Sequence, residues 1–437
     1  MPGSSKLINP VMAESNTQYL SSWIDVADQN DFPIQNIPFG VFRKIQNGFA
    51  HHVASRIGNS VIDLYRIAAK GYLDDCGIID VEVFNQPSLN AFAGLGKSVV
   101  RKVRKRISEL FSSNNPLLRD NYVLRNEILT PVDEVEMLLP VEVTDFTDFN
   151  SSMEHTVNIG RMYRDPVNPL PTNWRHMPEG CPGRTSTIVV SGTKIHRPFG
   201  QYKPGDAAFP IYGATRRLDF ELEVAFITCK ESELGTAIPV EKAEEYILGF
   251  VLLNLLTARD FQTWEQVPLG PFTSKSFGSI MSPWIVTLDA LEAFRVVGPR
   301  QEPKVLPYLQ STGAHNFDIN LEVFLEPEKT EALLLCKTNY RFIYWNICQQ
   351  LAHQSRNGCR IRVGDVYASG TISGQTPDSY GSLLELTWRG TKPIQLPGGS
   401  LRKYLVDYDK VIMKGYGKRN GIQIGFGECI TQILPSK

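Results

Sequence analysis

Short segments of β type recur along this chain from residue 140 onward: "TSTIVVSG", "RLDFELEVAFI", "FDINLEVFL", "LLELTWRG", "KVIMKGYG" and "IQIGFGECI". Pro and Gly turns separate them, with few long helices between. They predict one large, mostly β domain of rolled or sandwiched sheets carrying two or three helices. Upstream, residues 20–85 hold shorter β-rich pieces ("VFRKI", "SVIDLYRI") broken by Pro and Gly, as in a small barrel-like module. A helical stretch is predicted at about 89–113, with a further short piece to about 128. The texture changes after "TPVDEVEMLLPVEVTDF", which divides the chain into residues 1–140 and 141–437. At 249–266, "GFVLLNLLTARDFQTWEQ", an apolar run ends in two leucines and gives way at once to Arg259, Asp260 and Gln262.

Composition narrows the function classes. A chain of 437 residues, 42% hydrophobic and 21% charged, is ordinary globular material. Lys and Arg number 45 against 46 Asp and Glu, so nothing electrostatic draws the whole molecule to nucleic acid or an acidic membrane. In the one basic run, Lys97–Arg106, Val99, Val100, Val103, Ile107 and Leu110 fall at helical spacing, so the cations form the wet face of an amphipathic helix. Seven scattered cysteines, odd in number and never spaced C-x-x-C, argue against a disulfide framework or a zinc site and for a reducing compartment. The first 18 residues lack the pattern of a secretory signal, and no apolar run has the length to span a bilayer. A cytoplasmic protein is expected.

Three constellations carry candidate chemistry. In "RLDFELEVAF", Asp219, Glu221 and Glu223 alternate with apolar residues, which on a strand puts the acids on one face. Such acids repel unless a hard cation, basic side chains or solvent intervenes; the expectation from the pattern alone is a solvated, exposed face. "DFTDFNSSMEHTVNIGRMYRD" offers Asp148, His155 and Arg164, and "ARDFQTWEQVPLGPFTSKSFG" offers Arg259, Gln262 and Lys275. Those types suit an oxyanion or carboxylate clamp as well as an ordinary surface. No G-x-S-x-G, P-loop or H-E-x-x-H is present.

Taken together, "DFPIQNIPFGVF", "DFTDFNSSMEHTVNIG", "STIVVSGT", "LDFELEVAF", "VPLGPF", "KSFGSIMSPW", "FDINLEV", "ASGTISG" and "GSLLELTWRGTKPI" resemble the fumarylacetoacetase family in order and over nearly the whole chain. The resemblance implies an SH3-like N-terminal barrel, a mixed β-roll behind it, a homodimer, and cleavage of a carbon–carbon bond in a β-diketo acid. It implies His155 as general base oriented by Glu385, and Arg259, Gln262 and Lys275 as the oxyanion group. Arg164 and Thr371 fall where the family binds substrate, and Asp148, Glu221 and Glu223 match three of four ligands to Mg²⁺ or Ca²⁺.

The chain departs from the family at three places. The fourth metal ligand, an aspartate in an Asn-Asp-Trp stretch, is replaced within Asn254-Leu255-Leu256 by Leu255. Two substrate-binding tyrosines are replaced by Cys181 and Gln266, and Pro182 follows the first. The expectation is therefore a repurposed enzyme acting on a β-dicarbonyl or related polarised carbonyl, with a weakened or absent metal site. The alternatives are ordinary fumarylacetoacetate hydrolysis and a non-catalytic paralogue.

Overall fold

The protein is described here by a computed structural model covering residues 20–46, 50–205 and 207–437. The first 18 residues, read above for a signal, lie outside the described residues. Among the described residues no helix is long and apolar enough to cross a membrane.

The fold is mixed α+β and rich in strands. Its N-terminal part is a five-stranded antiparallel sheet in the order Leu129–Pro131, Ser60–Asp63, His52–Ile57, Gly40–Lys44, Val135–Met137. Only half of "SVIDLYRI" is strand. Asp63 ends the strand, and its carboxylate accepts from Arg66 N, so Leu64–Ala69 becomes a helix. Helices Asn90–Ala93, Lys97–Phe111, Pro116–Arg119 and Tyr122–Ile128 follow. On the basic helix Val100, Val103, Ile107 and Leu110 are buried as expected, but Val99 is only half-buried. Two of its cations also turn inward: Lys97 Nζ donates to Glu244 O, and Arg104 to the carbonyls of Gln35 and Asn36.

The C-terminal part holds an eight-stranded sheet, in which Phe146–Phe149, Val366–Ala368, Leu222–Thr228, Ile247–Leu255 and Ser279–Met281 are consecutive neighbours. It rolls against a five-stranded sheet centred on Asn320–Glu326, Lys410–Arg419 and Ile422–Leu434. Phe226, Phe250, Leu252 and Ile280 from the first sheet share a core with Leu321, Val323, Met413 and Phe426 from the second. Ala225, Ile227, Val251, Leu253, Leu255 and Met281, on the opposite face, share a second core with Phe39, Phe92, Val103 and Ile107 of the N-terminal part.

That double covering explains the apolar run at 247–255. A strand buried on both faces has no wet side on which to alternate, and all nine of its residues are buried. Two further expectations change. "LLELTWRG" is not a strand: Ser382 accepts from Glu385 N and starts the short helix Leu383–Leu386. The acids of "RLDFELEVAF" are not solvated: Asp219, Glu221 and Glu223 are 0%, 3% and 0% exposed. The pairing breaks between Leu218–Asp219 and Leu222–Thr228, and the acids meet buried partners instead of water: Asp219 and Glu221 share Arg259, and Glu221 lies beside Glu223.

Gly249 marks where the central strand meets Val286–Thr287; a Cβ there would lie 2.2 Å from Val286 O and 2.8 Å from Thr287 Cα. Backbone atoms cannot rotate away. Gly249→Ala is expected to lower stability by at least about 2 kcal/mol, measured as a drop in the urea midpoint at unchanged m-value.

Candidate active site

The helix Met153–Tyr163 begins at Ser152, whose hydroxyl accepts from His155 N, so His155 sits in the first turn. Its Nδ1 lies 2.8 Å from Glu385 Oε2. Glu385 likewise occupies the first turn of its own short helix. Burial would raise the Glu385 carboxyl, but His155 and the hydrogen bonds outweigh it and hold the group below the ordinary carboxylate range. An ionised carboxylate only accepts, so Nδ1 carries the proton and Nε2 is the basic nitrogen left to the cavity. Glu385 is further fixed by Asn158 Nδ2 at 2.9 Å, Ser382 Oγ at 2.8 Å and Ser373 Oγ at 2.9 and 3.0 Å from its two oxygens. Those three partners were not found in the sequence: Asn158 lies 227 positions from Glu385 and Ser373 lies 12, while the S-x-x-E spacing of Ser382 and Glu385, a helix-start signature, was the one local signal.

His155 opens on a cavity of about 680 Å³. Its walls include Asp148, Arg164, Cys181, Glu221, Arg259, Gln262, Gln266, Lys275 and Thr371. Nearly every site residue expected from the sequence is thus gathered around one space. Glu385 and Glu223 stand behind the wall, and Arg164 is at the exposed rim, donating to Thr156 O and Pro169 O. Thr371 Oγ1 is buried without a partner.

Arg259 is 4% exposed and heavily committed. Its Nε donates to Asp219 at 2.8 Å, and Nη1 reaches Glu221 at 2.7 Å and Gln262 Oε1 at 3.1 Å. Nη2 is buried with no partner and remains available. Because Gln262 spends its carbonyl on Arg259, its amide nitrogen is the group left over. Lys275 Nζ stands 2.7 Å from Glu221 and 3.5 Å from Asp148. Its turn, Thr273–Lys275, is organised by Glu265, whose carboxylate accepts from Phe272 N, Thr273 N and Ser274 N. Asp219 plays a matching part: besides Arg259 it accepts from Leu383 N and Leu384 N at 2.7 and 3.0 Å, at the start of the helix bearing Glu385.

Asp148, Glu221 and Glu223 bring carboxylate oxygens within 4.8 Å of one another. Burial would raise Glu221, yet Lys275 and Arg259 outweigh it and hold its carboxyl well below the usual range. Glu223 goes the other way: burial, then the charges of Asp148 and Glu221, push it well up. One of its oxygens accepts from Gly370 N at 3.2 Å, and the other is buried without a partner. Gly370 has φ +76°, and a Cβ would lie 2.0 Å from Phe149 O, so only glycine brings this N–H to the acid.

A buried carboxyl oxygen without a partner, beside two more acids, fits a hard divalent ion, which Asp148, Glu221 and Glu223 would hold. Cations already contend for the same oxygens, and Arg184, passed over in the sequence as a site residue, donates to Asp148 at 3.2 Å. The fourth position is apolar. Leu253 pairs with Glu223 across the ladder, so Leu255, two residues on, shares that face and is fully buried.

Asp219→Ala would leave Arg259 buried beside one acid fewer and uncap Leu383–Leu386. A loss of about 3–5 kcal/mol is expected, against a smaller one for Asp219→Asn, which keeps an acceptor for the helix. Urea midpoints check this; equal, small shifts would show that the carboxylate joins nothing.

Residues 35–140 match the family model described as fumarylacetoacetase N-terminal, and residues 146–431 that described as fumarylacetoacetate (FAA) hydrolase C-terminal. The chain is 46% identical to the fumarylacetoacetase of Homo sapiens over 418 residues, covering 95% of this chain and 99% of that one. It is 46% identical to the fumarylacetoacetase of Arabidopsis thaliana over the same shares. Among solved structures, one described as an HpcE protein from Mycobacterium smegmatis aligns with a TM-score of 0.51 at 14% identity, over 91% of this chain and 99% of that one, a likeness of fold. With both parts of the chain matched and identity this high over nearly its full length, the chain belongs to the fumarylacetoacetase family and is a carbon–carbon bond hydrolase.

Proposed function

We propose that this enzyme hydrolyses the carbon–carbon bond between the two carbonyls of a β-diketo acid, with fumarylacetoacetate the first candidate substrate. The observation that carries the reading is the His155–Glu385 pair at 2.8 Å, opening on the same cavity as Arg259, Gln262 and Lys275. His155 Nε2 takes a proton from water as its oxygen attacks the substrate carbonyl, and Glu385 stabilises the imidazolium. Arg259 Nη2, the Gln262 amide and Lys275 receive the negative oxygen of the tetrahedral adduct. Collapse breaks the C–C bond, leaving a carboxylic acid and an enolate, to which the imidazolium returns the proton. Arg164 at the rim, with Thr371, binds the substrate carboxylate and its polar neighbours. A divalent ion on Asp148, Glu221 and Glu223 would supply further polarisation of the carbonyl oxygens.

The names of the relatives at 46% identity support the ordinary fumarylacetoacetase reaction at least as well as a repurposed one. A changed substrate within the β-dicarbonyl class is favoured by one specific feature: Cys181 and Gln266, where the family resemblance puts tyrosines, both line the cavity. A non-catalytic paralogue would have no use for an assembled dyad. The resemblance supports a homodimer, and seven free cysteines support a cytoplasmic home.

Purified protein given fumarylacetoacetate with Mg²⁺ or Ca²⁺, or with chelator, decides among these readings. Turnover is expected, with His155→Ala and Glu385→Gln lowering kcat by about 10²–10⁴-fold without unfolding the protein. Unchanged turnover in His155→Ala would remove the proposed base. Leu255→Asp is expected to tighten Mg²⁺ or Ca²⁺ binding by at least roughly tenfold, read by calorimetry; no change would mean that position 255 does not face the ion. Absence of turnover in both wild type and Leu255→Asp would transfer the proposal to another β-dicarbonyl compound.

A further inference from the structure

A second group of ligating side chains lies away from the catalytic cavity, whose wall includes none of them. Glu244 comes from the 3₁₀ turn Val240–Tyr246, His315 from the loop entering Asn316–Phe317, and Cys348 from the first turn of helix Ile347–Gln354. Their donor atoms converge. Glu244 Oε1 is 2.8 Å from His315 Nδ1, Cys348 Sγ is 3.5 Å from the same nitrogen, and Sγ is 3.9 Å from Oε1. Tetrahedral Zn²⁺ has bonds of about 2.0–2.1 Å to nitrogen and oxygen and about 2.3 Å to sulfur, which set ligand atoms roughly 3.3–3.6 Å apart. The observed triangle brackets those edges.

The surroundings are also those of a metal site. His315 Nε2 lies 3.0 Å from Thr312 O. A proton on Nε2 donated to that carbonyl leaves Nδ1 as the ligand nitrogen, the arrangement that orients metal-bound histidines. Glu244 is held by Arg295 through two parallel contacts at 2.8 and 2.9 Å, and Arg295 is braced by Glu292. Lys97 anchors the backbone carbonyl of Glu244. Cys348 is buried, while the His315 and Glu244 side chains are 22% and 26% exposed and give solvent a way in.

We propose that Glu244, His315 Nδ1 and Cys348 Sγ form a binding site for a zinc-class divalent cation, with water as fourth ligand. Nδ1 and the thiol must each be free of a proton to ligate, so binding releases those protons to solvent. The ion would tie together three segments of the chain. Scattered cysteine spacing hid the site, because each ligand comes from a different element.

The probe is Co²⁺ alone, titrated into full-length protein stripped with chelator. The expected result is a thiolate-to-cobalt charge-transfer band with tetrahedral visible bands, saturating at one Co²⁺ per chain and displaced by Zn²⁺. Cys348→Ser should abolish the charge-transfer band and Cys359→Ser should leave it. His315→Gln should weaken Co²⁺ binding at least roughly tenfold, and it decides the matter if Cys348→Ser fails to fold. Cys181 shares the cavity wall with Asp148 and Glu221, so Cys181→Ser should also leave the band intact. No band in wild type with excess Co²⁺, a band that survives in Cys348→Ser, or unchanged affinity in His315→Gln would overturn the proposal.

Discussion

One buried carboxylate joins the two halves of the catalytic apparatus. Asp219 accepts the Nε hydrogen bond of Arg259 and, with the same two oxygens, caps the short helix that presents Glu385. Burial pushes its own carboxyl up, and Arg259 opposes that push. A charge this enclosed persists only when its partners are fully in place. The position of the base-orienting acid and the position of the oxyanion donor are therefore set by one group. Remaining contacts, from the serines around Glu385 to Glu265 under Lys275, refine a geometry that Asp219 already spans.

The acid cluster beside it shows how the same burial produces opposite protonation. Glu221 lies against two cations and stays ionised, while Glu223, one pleat further along and lacking a cation of its own, is driven toward the protonated form. Leu255 sharpens the asymmetry because it offers that face neither charge nor a hydrogen bond. Whatever ion or substrate enters must contend with Lys275, Arg259 and Arg184 for the same oxygens.

Much of the fold was legible along the chain, and the legible parts share a cause. The hairpin Lys410–Arg419 and Ile422–Leu434 and the strand Asn320–Glu326 have one face on the core and one half-exposed, so they advertise their period. Where an element is covered on both sides the signal vanishes, as in Ile247–Leu255, and where a cap overrides the pattern it misleads, as in "LLELTWRG". Burial of Asp219, Glu221 and Glu223 was invisible because alternation reports a face but not what covers it. The site residues were found through resemblance; pairing His155 with Glu385 across 230 positions lies beyond any local rule. The same holds for Glu244, His315 and Cys348.

The double covering of the central sheet has a consequence for how the molecule holds together. Phe39, Phe92, Val103 and Ile107 from the N-terminal part lie against the same sheet face on which Leu253 pairs with Glu223 and Leu255 follows. Removing that part would strip one side of the catalytic sheet and leave a broad apolar plate in water. The N-terminal module is thus a wall of the active site at one remove. The two parts share one apolar core although their sheets are separate.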